Sequence, residues 1–376
     1  MEESESSAVG RVTVYSIQGC PHCVQAKATL GRLGVPVCDV DVGRHPELRA
    51  RVKELTGRST VPQIFFNSVH VGGNDDLQKM APTELQRLVS LVKEQPLSAD
   101  APPLPMEDQS EDTAGESDGA AELSLLLRDM ILKLFSEHLS ADGKSVDYKG
   151  MSANPVFERY CDLAIQLQRV ELLSLSREEK LAFFINTYNA LVIHGYLRLG
   201  APTNMWQRYR FFNYVSYLIG GEVFTLQDIE NGVLRGNRKG VAQLRRPFSK
   251  TDPRLQVALP DAEPLIHFAL NCGAKGCPPI KTYTPQDIDS QLRTAAEAFL
   301  ENDDGCVVDS GKKEVRLSQI FKWYKADFGG TDEKLLNWVL EHMGDSPKKT
   351  SLRGVLSAGK TKVSYLPYDW SSNSVH

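Results

Sequence analysis

"RVTVYSIQGCPHCVQAKATLGRLG", residues 11–34, decides how the first part of this chain is read. Its opening residues, "RVTVYSI", alternate in character with the period of a strand. From Pro21 the spacing becomes helical, and it stops at Gly34. Cys20 and Cys23 sit at the join, with Pro21 in the first helical turn. Free N–H groups and the helix dipole at a helix start favour an anion, so the Cys20 thiol is expected to ionise readily. The thiolate is the attacking species in disulfide exchange, and Cys23, one turn further on, can resolve a mixed disulfide. His22 lies between them and would lower the Cys20 pKa further if partly cationic. A zinc site needs two more ligands, and the chain holds no second C-x-x-C. The pair reads as a redox dithiol near a βαβ pattern.

Working outward, "VPVCDVDV" (35–42) is a second strand and "HPELRARVKELTG" (45–57) a second helix, with Pro46 near its start and Gly57 at its end. "TVPQIFFN" (60–67) and "HVGG" (70–73) are short strands in hairpin order, and residues 74–94 return to helix. Residues 11–94 are therefore expected to form an α/β domain, a small mixed sheet with helices on its faces.

At 376 residues the chain is long enough for two or three domains. Its net charge of −5 is concentrated: residues 94–118 carry eight acids and no Lys or Arg, and without them the balance becomes +3. The acidity belongs to a linker and says nothing about substrate. Residues 95–119 mix Pro, Ser, Gly and acid with few large apolar side chains, the composition of a disordered tether. Residues 1–10 are polar, acidic and expected to be disordered, without the features of a secretory signal. No apolar run approaches the roughly 20 residues a membrane span needs. A cytoplasmic, reducing compartment follows as the expectation, and seven cysteines, an odd number, do not read as a disulfide framework there.

Residues 120–376 read as a second, helix-rich α+β domain. "SREEKLAFFINTYNALVIHGYLRLG" (176–200) is a helix with a capping box formed by Ser176 and Glu179. "EVFTLQDIE" (222–230), "EPLIHFALNCG" (263–273) and "VSYLPYDW" (363–370) read as strands or strand–loop junctions. Asn186 and Asn189, three apart, share one helix face; they either pin neighbouring backbone or serve an active site. His194 reads as a core histidine or a ligand. In "LIHFALNCGAKGCPPIKTY" (265–283) three readings stand open. Cys272 or Cys277 pairs with His267 or His194 in a Cys–His hydrolase or transferase; His267 and both cysteines hold a metal with a fourth ligand; or the thiols are inert in a tight loop. Residues 235–254 hold seven basic residues and one acid, a solvated loop or an anion site, without the aromatic interleaving that nucleic acid would call for.

Residues 11–94 resemble a glutaredoxin, a member of the thioredoxin fold, on "CPHC", "TVPQIFFN" and "HVGGNDDL" in that order. The resemblance implies glutathione as co-substrate and disulfide-bearing or glutathionylated proteins as partners. It implies that Cys20 forms the mixed disulfide with glutathione and that Pro62 is a cis-proline beside it. It further implies that the Val61 backbone pairs with the cysteinyl part, that Asp75 and Asp76 hold the γ-glutamyl end, and that Arg49 helps bind the glycine carboxylate. Many members carry Lys two or three residues before the first cysteine; here Ile17-Gln18-Gly19 supplies no cation. Residues 120–376 resemble the family known as domain of unknown function 547, on "EKLAFFINTYNALVIHG", "IHFALNCGAKGCPPI", "IFKWYKADFG" and "YLPYDWSSN". That resemblance implies no activity. The expected whole is a glutathione-linked thiol–disulfide oxidoreductase whose second domain recognises substrate or has its own activity. The rivals are a redox-regulated Cys–His hydrolase and a non-catalytic interaction protein.

Overall fold

The computed structural model describes residues 10–17, 20–43, 45–98, 100–104, 120–140, 145–281 and 283–374. The chain divides into two compact units. The first comprises Met1–Asp118, Ile165–Val170 and Tyr214–Phe224; the second comprises Gly119–Ala164, Glu171–Asn213 and Thr225–His376.

In the first unit, β1 (Val12–Ser16), α1 (Pro21–Gly31), β2 (Val37–Asp41), α2 (Pro46–Thr56), β3 (Gln63–Phe66), β4 (Val69–Gly72), α3 (Asn74–Lys79) and α4 (Pro82–Glu94) follow in the expected order. The sheet runs β2-β1-β3-β4. β1 is parallel to β2, with Val12 opposite Val37, and antiparallel to β3, with Val14 opposite Ile64. Side-chain alternation splits the core between the two faces. Val12, Val14, Ile64 and Phe66 pack with Ala26 and Leu30 of α1 and Leu88 of α4; Tyr15 and Phe65 pack with Val40, Leu48 and Val52. This is the thioredoxin-like α/β arrangement.

Two features depart from the expected domain limits. Leu218 lies against Val24 and Ala28 of α1, which places a short hairpin, β5 (Ser216–Ile219) and β6 (Glu222–Thr225), largely within the first unit. Within the stretch expected to be a disordered tether, Arg11 Nη2 donates to the Pro102 carbonyl at 3.1 Å, the Tyr15 hydroxyl donates to the Pro103 carbonyl, and Leu104 packs beside Tyr15. A Pro carbonyl keeps both lone pairs free for such donors. The remainder of that tether, 105–119, and residues 1–9 lie outside the described residues.

The second unit is helix-rich. It holds α5 (Ala120–Glu137), α6 (Tyr148–Ser152), most of α7 (Pro155–Ile165), α8 (Arg177–Leu199) and most of α9 (Met205–Tyr214), then α10 (Ile288–Glu301), α11 (Gln319–Trp323), α12 (Asp332–His342) and α13 (Pro347–Ser357). A small sheet joins β7 (Cys306–Asp309), β8 (Glu314–Leu317) and β9 (Lys362–Tyr365). α8 is its centre: every residue from Leu181 to Tyr196 is buried. Its start is the expected capping box, with Ser176 Oγ accepting the Glu179 N–H at 3.2 Å and Glu179 Oε2 accepting the Ser176 N–H at 2.8 Å.

Two stretches expected to be strands or strand–loop junctions depart in part from that form. Pro264–Phe268 is a 3₁₀ turn, because Pro264 fits a first helical position and the Glu263 carboxylate accepts the Leu265 N–H at 3.3 Å. Asp228–Leu234 is a π-helical turn that follows β6. Among the described residues, no helix is long and apolar enough to cross a membrane.

Candidate active site

β1 ends four residues before Cys20, which caps α1 with extended backbone. Cys20 Sγ accepts the Cys23 N–H at 3.3 Å and lies 2.6 Å from Cys23 Sγ. Cys20 is half-buried and Cys23 fully buried. Hydrogen bonding from the Cys23 thiol lowers the Cys20 pKa to about 7, against the opposing effect of burial; the Cys23 and His22 backbone N–H groups and the Lys27 charge help. Burial, then the proton shared with Cys20, push the Cys23 pKa up. One thiol is thus primed to attack and its neighbour holds its proton in reserve. The Val61–Pro62 peptide bond is cis, and the Val61 carbonyl lies 4.0 Å from Cys20 Sγ.

This first unit has clear relatives. Residues 12–71 match the family model described as Glutaredoxin. The glutaredoxin of Pseudomonas aeruginosa is 42% identical over 69 residues, which is 82% of that protein and 18% of this chain. The chain belongs to the glutaredoxin family. Glutaredoxin 1 of Rickettsia typhi is 36% identical over 92 residues, covering 86% of that protein and 24% of this chain. The solution structure of glutaredoxin from Brucella melitensis is 47% identical, covering 95% of that chain and 24% of this one, with a TM-score of 0.21. Residues 172–300 match the model described as Protein of unknown function, DUF547. The family is one of thiol–disulfide oxidoreductases, and the match confines it to about the first quarter of the chain.

Around the glutaredoxin dithiol, the cation missing before Cys20 has a counterpart behind it. Lys27 lies seven residues after Cys20, two turns along the same face of α1, and pairs with Asp39 at 2.6 Å. Sequence reading missed Lys27; its place seven residues after Cys20 on one helix is the signal that could have found it. Arg49, on α2, is exposed and lines a cavity of about 320 Å³ with Tyr15, Arg58, Thr60, Val61 and Gln63. Asp75 and Asp76 occupy the first turn of α3 and are exposed. Asp76 Oδ2 accepts the Gly73 N–H at 2.8 Å and Arg58 Nη1 at 2.5 Å, which together lower its pKa. Gly72 permits this cap: its φ is +115°, and a Cβ there would lie 2.3 Å from Asp76 Oδ2. Arg58 therefore joins the acidic group that sequence reading had placed alone, eighteen residues away with no periodic signal.

In the second unit the candidate residues separate into distinct settings. His267 is buried; its Nε2 meets Asp327 Oδ2 at 2.9 Å, and its ring stacks on Tyr324 with centroids 3.9 Å apart. Burial lowers its pKa despite that carboxylate. His194 Nε2 lies 3.8 Å from Cys161 Sγ, between the rings of Phe157 and Tyr160, and burial lowers its pKa to about 3. The expected Cys–His couple is corrected accordingly: His267 turns to a carboxylate, and the sulfur met by His194 is that of Cys161. Cys272 and Cys277 meet each other instead, with Sγ atoms 2.7 Å apart. Among the described residues, no three His, Cys, Asp or Glu side chains gather to hold a metal ion.

Asn186 and Asn189 do pin backbone. Asn186 Nδ2 donates to the Tyr283 carbonyl at 2.9 Å. Asn189 Nδ2 donates to the Ala269 carbonyl at 3.0 Å, and its Oδ1 accepts the Asn271 N–H at 2.8 Å. The basic segment is anchored at both ends: Arg235 and Arg238 pair with Asp327, and Arg254 with Asp228 and Asp252. Its middle, from Val241 to Arg246, is largely exposed.

Proposed function

We propose that the glutaredoxin domain is a glutathione-linked thiol–disulfide oxidoreductase with Cys20 as nucleophile and Cys23 as resolving thiol. The observation that carries this reading is Cys20 at the α1 N-terminus, its sulfur accepting the Cys23 N–H and lying next to the Cys23 thiol. Cys20 thiolate attacks one sulfur of a disulfide or of a glutathionylated cysteine, and the other sulfur leaves as a thiolate. With a protein disulfide, Cys23 gives up its proton and attacks Cys20 Sγ, expelling the second thiol. With a glutathionylated protein, glutathione itself attacks the mixed disulfide and leaves as glutathione disulfide.

In this reading the tripeptide runs from Arg49 past Val61 to the start of α3. Arg49 supplies a cation for its glycine carboxylate, the Val61 backbone faces its cysteinyl part, and Asp75 and Asp76 at the start of α3 take the γ-glutamyl ammonium. The cavity that carries Arg49 also carries Val61, which supports one path for the glycine and cysteinyl parts. Glutathione-dependent reduction of a mixed disulfide is expected for the full chain and lost in Cys20→Ser. Cys23→Ser is expected to keep deglutathionylation and to lose reduction of protein disulfides. Folded wild-type protein that shows no turnover with glutathione would overturn the reading and leave the domain an interaction module.

A further inference from the structure

We propose that Cys272 and Cys277 form a second redox dithiol in the second unit, with Cys277 as the attacking thiolate, Cys272 as the resolving thiol and a disulfide as the substrate class. The pair repeats, on unrelated scaffolding, the bonding pattern of Cys20 and Cys23. Cys277 Sγ accepts the Cys272 N–H at 3.2 Å and lies 2.7 Å from Cys272 Sγ. In the first dithiol the acceptor sulfur belongs to the earlier cysteine; here it belongs to the later one.

A third donor is added from far along the chain. The Tyr368 hydroxyl lies 3.3 Å from Cys277 Sγ. Burial opposes ionisation of Cys277, but the Cys272 thiol, Tyr368 and backbone N–H groups outweigh it and lower its pKa to about 7. The proton shared with Cys277 and burial hold the Cys272 pKa well above the usual thiol value. Cys272 and Cys277 are both half-buried residues. Adjacent thiols in one short loop can join with little backbone movement.

The setting is built to hold that loop. The C-terminal segment pairs with it: the Lys275 N–H donates to the Ser371 carbonyl at 2.9 Å, and the Gly276 N–H to the Asp369 carbonyl at 3.0 Å. The Tyr196 hydroxyl donates to the Cys272 carbonyl at 2.8 Å. Arg208, buried, donates from Nη2 to the Trp370 carbonyl at 2.8 Å, and its Nε and Nη1 have no hydrogen-bond partner among the described residues. Its positive charge favours ionisation of Cys272, which the resolving step needs.

The electrons balance as a thiol–disulfide exchange. Cys277 thiolate attacks a disulfide, R–S–S–R′, forming a Cys277–S–R bond and releasing R′S⁻. Cys272 then loses its proton and attacks Cys277 Sγ, releasing RS⁻. The substrate disulfide is reduced to two thiols, and the pair is oxidised to Cys272–Cys277 disulfide. A thiol such as glutathione reverses the sequence.

The test uses the full chain carrying Cys20→Ser and Cys23→Ser, equilibrated in glutathione buffers from fully reduced to fully oxidised. Acid quenching, alkylation and trypsin follow. Cleavage after Lys275 parts the two cysteines, so their disulfide is recovered as two joined peptides. The joined peptides are expected to dominate at the oxidised end and to vanish at the reduced end. Adding Cys272→Ser is expected to load glutathione on Cys277 at least about tenfold more than Cys277→Ser loads it on Cys272. If both thiols of the folded chain stay open to alkylation at every buffer ratio, the dithiol proposal fails. Preferential loading of Cys272 would overturn the assignment of roles. The first comparison keeps the pair intact, so it decides the question even where a Ser substitution at 272 or 277 perturbs folding. Cys20 and Cys23 are absent throughout, so the outcome is independent of the function proposed for them.

Discussion

Arg235 holds Asp327 at two points, Nε to Oδ2 at 2.6 Å and Nη2 to Oδ1 at 2.9 Å, with both side chains almost wholly withdrawn from solvent. Arg238 adds a second cation at 3.0 Å and His267 a hydrogen bond at 2.9 Å, so one carboxylate ties the basic segment and the Pro264–Phe268 turn to the 3₁₀ turn Lys325–Phe328 that follows α11. Breaking such a pair on one side leaves a buried charge without its partner. Asp327→Asn is expected to cost about 3–5 kcal/mol, read as a lowered urea midpoint of the second unit.

The same carboxylate makes stability fall in acid. Burial alone would raise the Asp327 pKa, but hydrogen bonds from His267 and Arg235 hold it well below the carboxylate range. A depressed folded pKa contributes stability that is present above the unfolded value of about 3.9 and lost as pH falls below it. Thermal unfolding followed from pH 7 to pH 3 is expected to show this loss in wild type. In Asp327→Asn the profile should be flatter below about pH 4; an unchanged slope would remove Asp327 from the account.

Lys27 is expected to tune Cys20. Its charge favours the thiolate, though its pairing with Asp39 reduces the effect. The rate of Cys20 alkylation should rise through a midpoint near pH 7 in wild type. Lys27→Gln should move that midpoint up by about half a unit, equivalent to about 0.7 kcal/mol. A downward move would contradict the assignment.

Asn189 bridges the Ala269 carbonyl and the Asn271 N–H, and it is buried. Asn189→Ala strands two buried backbone groups, at about 1–3 kcal/mol each. A loss of about 4 kcal/mol, the middle of the summed range, is expected in chemical denaturation. Faster labelling of Cys272 and Cys277 by a thiol reagent should accompany it, because Asn271 leads directly into their loop.

Gly273 has a φ of +79°, and a Cβ there would lie 2.4 Å from the Tyr196 ring. Gly273→Ala combines backbone strain with a clash in a packed site, a cost of about 1–3 kcal/mol. At about 2–4 °C per kcal/mol for a unit of this size, a fall in Tm of several degrees is expected.

How much was legible differs between the two units. In the first, alternation in "RVTVYSI", Pro21 and Pro46 at helix starts and Gly57 at a helix end are local signals, and local geometry honours them. In the second, "PLIHF" was read as extended because an apolar run without alternation does not separate strand from helical turn. Ile266, His267 and Phe268 are all buried, so no polar face marked the turn. The Ser176 box and the backbone-pinning asparagines were legible because capping and buried-amide rules are short-range or absolute.

By itself the sequence determined the dithiol at a helix start, the element order of the first unit and the helical centre of the second. Those properties follow from spacing and backbone preference within a few residues. Tertiary structure alone decided which groups meet. It turned His267 to Asp327, sixty residues on, and His194 to Cys161. It brought Tyr368, ninety-one residues on, to Cys277 and set Arg58 against Asp76. Each of these contacts joins segments whose separation along the chain carries no periodic trace; only burial and the need to satisfy polar groups inside the core select them.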